Sequence, residues 1–273
     1  KLPRAVICEM MGGPREDGDQ MFHLGNALIG PEDPEYAKGR TRQEVMMDAS
    51  MQMFGYWAGQ VAQRSARGLS ADDTDLLSVL MQAEIDGEKL ELDELLIFCL
   101  LLVVAGNETT RNTTSMGMLA LIEHPDERAK VVADIDGRTN AAVEEILRWS
   151  SPVLNFYRTA TRDVELRGQQ VREGDRVVMW YPSANRDEDH FVDPYRFDVL
   201  RQPNEHIAFG KGEHFCLGAN LARLELRVFF SELLRRAPDM ELVGEVERLR
   251  SNFIGGIKHM PVRFTPKKVA VGV

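Results

Sequence analysis

The chain has 273 residues, and 44% of them are hydrophobic, so it can bury a substantial core as one large domain or two small ones. Its formal net charge of −10 argues against a nucleic-acid partner, because phosphate contacts need clustered Lys and Arg. Cys8, Cys99 and Cys216 are odd in number and far apart, which excludes a disulfide framework and favours a reducing, cytoplasmic setting.

The sequence predicts neither a secretory leader nor a membrane span. Residues 1–4 lead directly into an amphipathic segment, unlike a signal peptide. The longest apolar run, Leu95 to Ala105, is about half of the roughly 20 residues that a membrane-spanning helix needs. A soluble protein is therefore expected.

The first part of the chain indicates helices that carry no chemistry of their own. The apolar spacing predicts a helical stretch from Leu2 to Leu28 that is broken at residues 12–14. It then predicts a loop from Gly30 to Gly39, a long helix from Thr41 or Arg42 to about Ala66, and a short helix from Asp75 to Ala83.

A much longer helix is predicted from Asp93 to about Glu123, where His124 and Pro125 end it. About thirty residues at 1.5 Å per residue span roughly 45 Å, the width of a whole domain. The first half of this helix is apolar on nearly all sides, so it is expected to be buried all round.

Polar residues interrupt the middle of this helix, where buried polar groups need partners or a task. Four residues share one face by their i, i+3 and i+4 spacing: Leu102, Ala105, Gly106 and Thr109. The small side chains on this face leave room for a flat group, and the Thr109 hydroxyl can bond back to a carbonyl one turn earlier. Alternatively, Gly106 ends one helix and Asn107 caps the next; the residues alone leave both possibilities open.

The next helix is expected from Thr139 or Asn140 to Trp149, and it carries Glu145 and Arg148 three positions apart. On a surface such a pair contributes about 0.3–0.5 kcal/mol, and the pattern is common. The period then changes to that of short strands, at Val153 to Arg158, Val164 to Leu166 and Arg176 to Trp180, followed by a coil from Ser183 to Arg201. The expected fold class is mainly α with small β-sheets.

The most distinctive stretch runs from Phe209 to Gly218 and places Cys216 among three glycines, before a helix that is predicted from Ala219 to Phe230. Backbone N–H groups and the positive helix end favour a thiolate there, and glycines let a flat ligand approach. Two other interpretations stay open from the residues: a small buried hydrophobe, or a zinc site with His206 and His214 that lacks a nearby fourth ligand.

The pattern Phe-Gly-x-Gly-x-His-x-Cys-x-Gly resembles the haem-binding signature of the cytochrome P450 family at every fixed position. The resemblance implies a haem b cofactor whose iron is bound by the Cys216 thiolate. It further implies that Phe209 packs beside the sulfur and that His214 reaches a haem propionate. Gly210 and Gly218 belong to the same cofactor-binding loop.

The segment Ala-Gly-x-Glu-Thr-Thr in the long helix resembles the oxygen-binding groove of the same family. The resemblance implies that Ala105 and Gly106 adjoin the haem and that Glu108 and Thr109 relay protons to dioxygen. An acid beside a hydroxyl suits that task, because a buried site must deliver protons through positioned groups.

Further positions acquire expected roles from the same resemblance. Glu145 and Arg148 match the family's structural Glu-x-x-Arg pair, with Arg196 or Arg201 as a third member that the sequence does not choose. Arg158 stands where members place a propionate-binding arginine, although an ordinary surface arginine explains it equally. Residues expected to line the substrate pocket are Val153, Leu154, Phe156, Phe253 and Ile254; plain hairpin packing is the alternative for the last two.

The resemblance covers the C-terminal two thirds of such proteins, so residues 1–273 are expected to form one partial haem-binding monooxygenase domain. It implies insertion of one oxygen atom from dioxygen into a C–H bond of an apolar substrate. Phrases such as Gly-Asn-Glu-Thr-Thr-Arg-Asn resemble actinobacterial members that hydroxylate sterol side chains, branched lipids or terpenes. The rival hypotheses are a non-oxygenating haem protein and an inactive fragment.

Electrons are expected from a ferredoxin-type donor with its reductase, since no flavin or NAD fingerprint is present. Four arginines after the cysteine, in an otherwise acidic chain, are candidates for docking an acidic donor: Arg223, Arg227, Arg235 and Arg236. A solvated helix face explains the same residues.

Overall fold

The computed structural model describes residues 2–267 and is dominated by helices. The backbone divides into two compact units, one up to Arg111 and one from Asn112 onward, and the boundary falls inside the longest helix. The predicted fold class, mainly α with small β-sheets, is confirmed. Among the described residues, no helix is both long and apolar enough to cross a membrane.

The first unit packs its helices around a core that includes Met53, Trp57, Leu77, Cys99 and Val103. Its helices are α1 (Leu2–Met10), α2 (Gly18–Ile29), α3 (Pro34–Ala37), α4 (Arg42–Arg67), α5 (Leu76–Gln82) and the first part of α6 (Leu92–Glu123). A small antiparallel hairpin joins β1 (Glu84–Ile85) to β2 (Glu88–Lys89).

Local capping explains where these helices begin. Thr41 and Glu44 form a reciprocal capping box at the start of α4, as the predicted boundary requires. The predicted loop from Gly30 to Gly39 is wrong in one detail, because it contains α3. The Asp33 side chain accepts a hydrogen bond from the Glu35 N–H at 3.0 Å and Pro34 occupies the first helical position, which together start this turn of helix.

The long helix α6 is continuous, so the alternative in which a helix ends at Gly106 is wrong. The expectation that its first half is buried all round is also wrong. Ile97 and Leu101 are 58% and 53% exposed, although Leu95, Cys99 and Val103 lie in the core. An apolar helix surface thus permits burial but does not specify which face is covered.

The second unit has a core built from α8 and α10 together with buried residues such as Leu121 and Phe197. Its helices are α7 (Pro125–Ala133), α8 (Ile135–Ser150), α9 (Tyr181–Ala184) and α10 (Ala219–Arg236). The predicted start of α8 at Thr139 or Asn140 is one turn too late. Asp134 caps the helix by accepting a hydrogen bond from the Gly137 N–H at 3.0 Å.

The strands of the second unit form antiparallel pairs. The strands are β3 (Asn155–Thr159), β4 (Val164–Leu166), β5 (Gln169–Val171), β6 (Arg176–Trp180), β7 (Glu241–Leu242), β8 (Glu247–Arg248), β9 (Ile257–His259) and β10 (Val262–Arg263). They pair as β3 with β6, β4 with β5, β8 with β9 and β7 with β10. The strand predicted from Val153 begins two residues later, and Val153 itself makes an isolated bridge to Ile254.

Candidate functional site

The cysteine loop, residues 209–218, leads directly into the N-terminus of α10. Its chain reverses at Gly210 and Gly212, whose φ angles of 74° and 81° are strained for any residue with a Cβ. The Cys216 N–H donates to the Phe209 carbonyl at 2.9 Å, so the two ends of the turn are joined by the backbone. This local geometry fixes where the sulfur lies.

The Cys216 thiol is half-buried, whereas Cys8 and Cys99 are buried. Burial raises the pKa of Cys216, while the Gly218 N–H and the charge of Arg223 lower it. The sulfur is therefore the accessible cysteine of the chain, and it has a backbone donor and a cation nearby that favour its anionic form once a metal binds.

The surroundings of this sulfur fit a flat apolar macrocycle. Phe215 and Leu217 flank Cys216 in the chain and are 52% and 86% exposed, although both are large and apolar. A Cβ added at Gly218 would meet no atom within 4 Å, so the surface is open there. Exposed apolar side chains beside a single soft ligand suit haem, for which one axial thiolate is sufficient.

The described residues do not form a zinc site around Cys216. Among residues 2–267, no three His, Cys, Asp or Glu side chains gather as a metal-binding group. His206 instead contacts Glu144, with Nε2 3.1 Å from the carboxylate oxygen, and its side chain is nearly fully buried. His214 lies in a short 3₁₀ turn and is exposed.

Arg158 lies on β3 and is exposed, with one guanidinium nitrogen donating to the Tyr157 carbonyl at 3.1 Å. Its charge acts on the phenol of Tyr181, whose pKa is raised by burial and lowered by Arg158. Tyr181 in turn lies near Gly210, because a Cβ there would be 3.5 Å from the Tyr181 hydroxyl. Tyr181 therefore lies within the electrostatic influence of Arg158 and next to the cysteine loop.

The structure brings together the five residues expected to line the substrate pocket. Val153 and Ile254 form a β-bridge, and the Leu154 N–H donates to the Phe253 carbonyl at 2.9 Å. The rings of Phe156 and Phe253 meet edge to face, with centroids 5.5 Å apart, and both side chains are exposed. The result is an aromatic surface on a backbone frame, and its role as a substrate pocket stays a prediction.

Two cavities of the second unit differ in their relation to the cysteine. The larger, about 1270 Å³, is lined by Leu154, Trp180 and Gly255 among others, and by no residue of the cysteine loop. The smaller, about 740 Å³, is lined by Gly210, Gly212 and Phe215 together with His206. The volume of a cavity therefore does not identify the candidate active site, which is located by the cysteine loop.

In the first unit, Ile97, Leu101 and Ala105 of α6 are exposed and spaced four apart, and the half-buried Thr109 continues the same stripe. The Thr109 hydroxyl donates to the Ala105 carbonyl at 2.7 Å, which is the backward hydrogen bond that the spacing allows. Gly106 does not belong to this stripe. A Cβ there would be 3.0 Å from Ile7 Cδ1, so its missing side chain makes room for α1.

Glu108 is fully buried and points toward α2. It forms an ion pair with Arg111, whose Nε lies 3.1 Å from Oε2, and it accepts a hydrogen bond from Asn107 at 2.8 Å. Burial raises the pKa of Glu108, and Arg111 opposes that shift. Arg111 also donates to Asn26 at 2.9 Å and lies 5.1 Å from the centroid of the Phe22 ring.

Glu145 and Arg148 form a fully buried ion pair with two contacts of 2.7 Å. The remaining N–H groups of Arg148 donate to the carbonyls of Asn185, Pro194 and Arg196 at 2.8, 2.8 and 3.1 Å. The third member is Arg201, whose Nε lies 3.2 Å from Glu145. The Arg196 side chain is mostly exposed and lies 4.0 Å from Glu127 instead.

Sequence reasoning missed the partners of Arg223. This arginine makes two contacts to Glu144, at 2.8 and 2.9 Å, so it is not a free cation for docking. Arg235 and Arg236 are also paired, with Asp136 and Glu232. In the sequence, the only sign of this contact is the doublet Glu144-Glu145. Glu145 pairs with Arg148, and Glu144 pairs with Arg223.

Comparisons with known proteins agree with this geometry. Residues 38–237 match the family model described as Cytochrome P450. The chain is 48% identical over 265 residues to a methyl-branched lipid omega-hydroxylase of Mycobacterium tuberculosis and 45% identical over 268 residues to a steroid C26-monooxygenase of the same species. These alignments cover 97% of this chain and 60% and 59% of the relatives, so the chain spans about three fifths of their length.

A solved structure shows the same backbone. The Mycobacterium marinum cytochrome P450 in complex with pseudoionone superposes with a TM-score of 0.91 at 42% identity, covering 96% of this chain and 63% of that one. Its fold, the family model and the relatives agree with the motifs around Cys216 and in α6. The chain therefore belongs to the cytochrome P450 family.

Proposed function

We propose that this protein is a haem-thiolate monooxygenase that inserts one oxygen atom of dioxygen into a C–H bond of an apolar substrate. The overall reaction consumes two electrons and two protons and reduces the second oxygen atom to water. The observation that carries this proposal is the half-buried Cys216 at the start of α10, with exposed apolar neighbours on both sides. Members of the family bind haem b through a cysteine thiolate.

The residues of the second unit would hold the cofactor. Cys216 would be the axial ligand, Phe209 would pack beside its sulfur, and the Arg158 guanidinium and the His214 imidazole would bind propionates. Haem bound in this way supplies dioxygen activation, and a thiolate ligand favours cleavage of the O–O bond. Gly210 and Gly218 would keep the approach to the sulfur free of side chains.

The residues of α6 would supply protons and exclude water. We assign the relay to Glu108 and Thr109 because the first is a buried acid with a raised pKa and the second is a hydroxyl next to it in the chain. Glu108 is engaged by Arg111, so proton release from its carboxyl requires that contact to loosen. Ala105 and the neighbouring apolar stripe offer a surface that keeps water away.

The substrate is proposed to be a branched lipid or a sterol side chain. Two relatives support this, because their names specify a methyl-branched lipid and C26 of a steroid. Phe156, Phe253 and Ile254 offer an apolar aromatic surface suited to a hydrocarbon chain. A terpene is the other candidate, and product analysis with one substrate of each class separates them.

A ferredoxin-type donor with its reductase is proposed to supply the electrons, in a cytoplasmic setting that the unpaired cysteines favour. Arg227 is exposed on α10 and is the arginine of this helix best suited to meet an acidic partner. Arg227→Glu is expected to slow electron transfer from such a ferredoxin and to leave reduction by dithionite unchanged. Unchanged transfer from every candidate ferredoxin would remove Arg227 from docking.

A carbon monoxide difference spectrum of the reduced haem-loaded protein tests the central proposal. The expected result is the red-shifted Soret band typical of haem thiolates, and Cys216→Ser should abolish it. A band of the histidine type in the wild-type protein would contradict the proposal.

A non-oxygenating haem protein is the second candidate, and the buried acid beside a hydroxyl argues against it. In the oxygenase, Thr109→Ala and Glu108→Gln should retain haem but divert reduced oxygen from product to peroxide. Glu94→Gln, at the exposed start of α6, is the matched control and should not change that ratio. Equal product per electron in Thr109→Ala and wild type would remove Thr109 from the mechanism.

A further inference from the structure

We propose that Arg223 and Glu144 are positioning residues for the cysteine loop, and that their opposite charges set the reduction potential of the cofactor that Cys216 would bind. This inference rests on the proposed haem-thiolate function. It concerns a cluster formed by Glu144 on α8, Arg223 on α10, His206 just before the cysteine loop, and Phe209 at the start of that loop. These four side chains form a buttress.

The carboxylate of Glu144 is the centre of the buttress. Its two oxygens accept hydrogen bonds from Arg223 at 2.8 and 2.9 Å, and one of them also lies 3.1 Å from His206 Nε2. Burial alone would raise the pKa of Glu144, but the contacts with His206 and Arg223 lower it to about 2. The carboxylate is therefore a fixed negative charge at any working pH.

His206 connects the carboxylate to the backbone of the loop. The Ala208 N–H donates to its Nδ1 at 3.3 Å, and its Nε2 lies 3.1 Å from a carboxylate oxygen of Glu144. The neighbouring Ile207 N–H is held by Asn185 at 2.8 Å. The backbone that precedes Phe209 is thus fixed on both sides.

Arg223 connects the carboxylate to the sulfur. Its guanidinium carbon lies 4.5 Å from the centroid of the Phe209 ring, a stacking distance for a cation on an aromatic face. The Phe209 carbonyl accepts the Cys216 N–H at 2.9 Å, so the ring and the cysteine belong to one turn.

The two charges of the buttress act on the iron with opposite sign. A positive charge near the site favours the reduced cofactor, which carries one electron more, and a negative charge favours the oxidised one. Arg223→Gln should therefore lower the reduction potential, whereas Glu144→Gln should raise it. Loss of mere mechanical support would shift both variants in the same direction.

The test is a spectroelectrochemical titration of the haem-loaded wild type, Arg223→Gln and Glu144→Gln, without substrate or redox partner. At a fixed applied potential, the ratio of reduced to oxidised haem is expected to fall about three- to tenfold in Arg223→Gln and to rise by a similar factor in Glu144→Gln. Shifts of the same sign, or no shift in either variant, would overturn the proposal.

Matched variants separate charge from folding. Arg223→Lys keeps the charge without the planar fork, so its potential should stay near that of the wild type. Arg236→Gln removes an exposed arginine at the far end of α10 and should shift the ratio by less than about twofold. If Arg223→Gln fails to hold haem, a wild-type potential in Glu144→Gln still overturns the proposal.

The same samples distinguish this inference from the proposed function. A wild-type protein without the thiolate-type Soret band overturns both. A wild-type protein with that band, whose potential does not respond in opposite directions to the two variants, overturns only the role of the buttress.

Discussion

Two glutamate–arginine pairs with the same i, i+3 spacing, Glu108–Arg111 on α6 and Glu145–Arg148 on α8, differ in how completely their charges are satisfied. Both glutamates are fully buried. The Glu145 carboxylate accepts hydrogen bonds from Arg148, Arg201, Asn204 and the backbone of Asp198. Among the described residues, the Glu108 carboxylate accepts hydrogen bonds from Arg111 and Asn107 only.

The arginines differ in the same way. Arg148 is fully buried and uses all five of its N–H donors, two on Glu145 and three on backbone carbonyls. Arg111 is partly exposed and is anchored to α2 by Asn26 and Phe22. A saturated pair is suited to hold a fold, whereas a buried carboxyl with a raised pKa is suited to exchange a proton.

Breaking the saturated pair should have the largest effect. Arg148→Met leaves Glu145 buried with a single arginine and removes the donors of three backbone carbonyls, so the free energy of unfolding should fall by about 3–5 kcal/mol. Urea unfolding of the haem-loaded protein at pH 7 measures this change.

Arg138→Met is the control on the same helix. Arg138 is partly exposed and its Nε lies 3.7 Å from Asp134, so its loss should cost less than about 1 kcal/mol. Equal losses in the two variants would show that the buried network adds nothing beyond a surface pair.

A third carboxyl extends the comparison to a group with no described partner. Glu225 on α10 is buried, its Oε2 accepts no hydrogen bond from the described residues, and burial raises its pKa to about 7. Because the folded-state pKa exceeds the usual value, the stability that Glu225 contributes is present at low pH and is lost as pH rises through about 7.

Glu225→Gln should therefore stabilise the protein at alkaline pH. The variant should exceed the wild type by about 2–3 kcal/mol in the free energy of unfolding at pH 8.5 and match it at pH 4. Urea unfolding at both values provides the measurement. A constant difference across this range would mean that Glu225 does not titrate as a buried, unpaired acid.

Contacts between residues that are close in the chain can be predicted from the sequence, whereas distant contacts cannot. The cysteine loop, the cap of α4 and the continuous α6 depend on residues within a few positions of each other, and local patterns predict them well. The choice of Arg201 over Arg196 depends on Glu145, which is 56 positions away from Arg201. No periodicity specifies such a contact, because it arises from how the coil before the cysteine folds back on α8.

The sequence also does not specify which apolar residues of a helix are buried. The apolar surface of α6 could not reveal that Ile97 and Leu101 stay exposed while Leu95 and Cys99 are covered. The sequence also did not show that Gly106 packs against α1, or that Glu108, two positions later, faces α2. These outcomes depend on which elements cover each face, and hydrophobicity alone does not contain that information.

The Glu108–Arg111 pair should show the smallest effect on stability, and its signature is a dependence on pH. Burial raises the pKa of Glu108 and Arg111 lowers it, so removing Arg111 must raise it further. A carboxyl with a raised folded-state pKa contributes stability that is lost as pH rises through that pKa. Between pH 5 and pH 8, Arg111→Gln should therefore lose about 1–2 kcal/mol more of its free energy of unfolding than the wild type does.

The other groups near this pair do not produce that signature. Tyr36 on α3 has a pKa of about 12 and does not titrate in this range. In a Glu108→Gln background the extra pH dependence caused by Arg111→Gln should vanish, because the titrating group is gone. Unfolding curves of the wild type, the two single variants and the double variant at both pH values measure this, and equal pH slopes in all four would mean that Arg111 does not control the Glu108 proton.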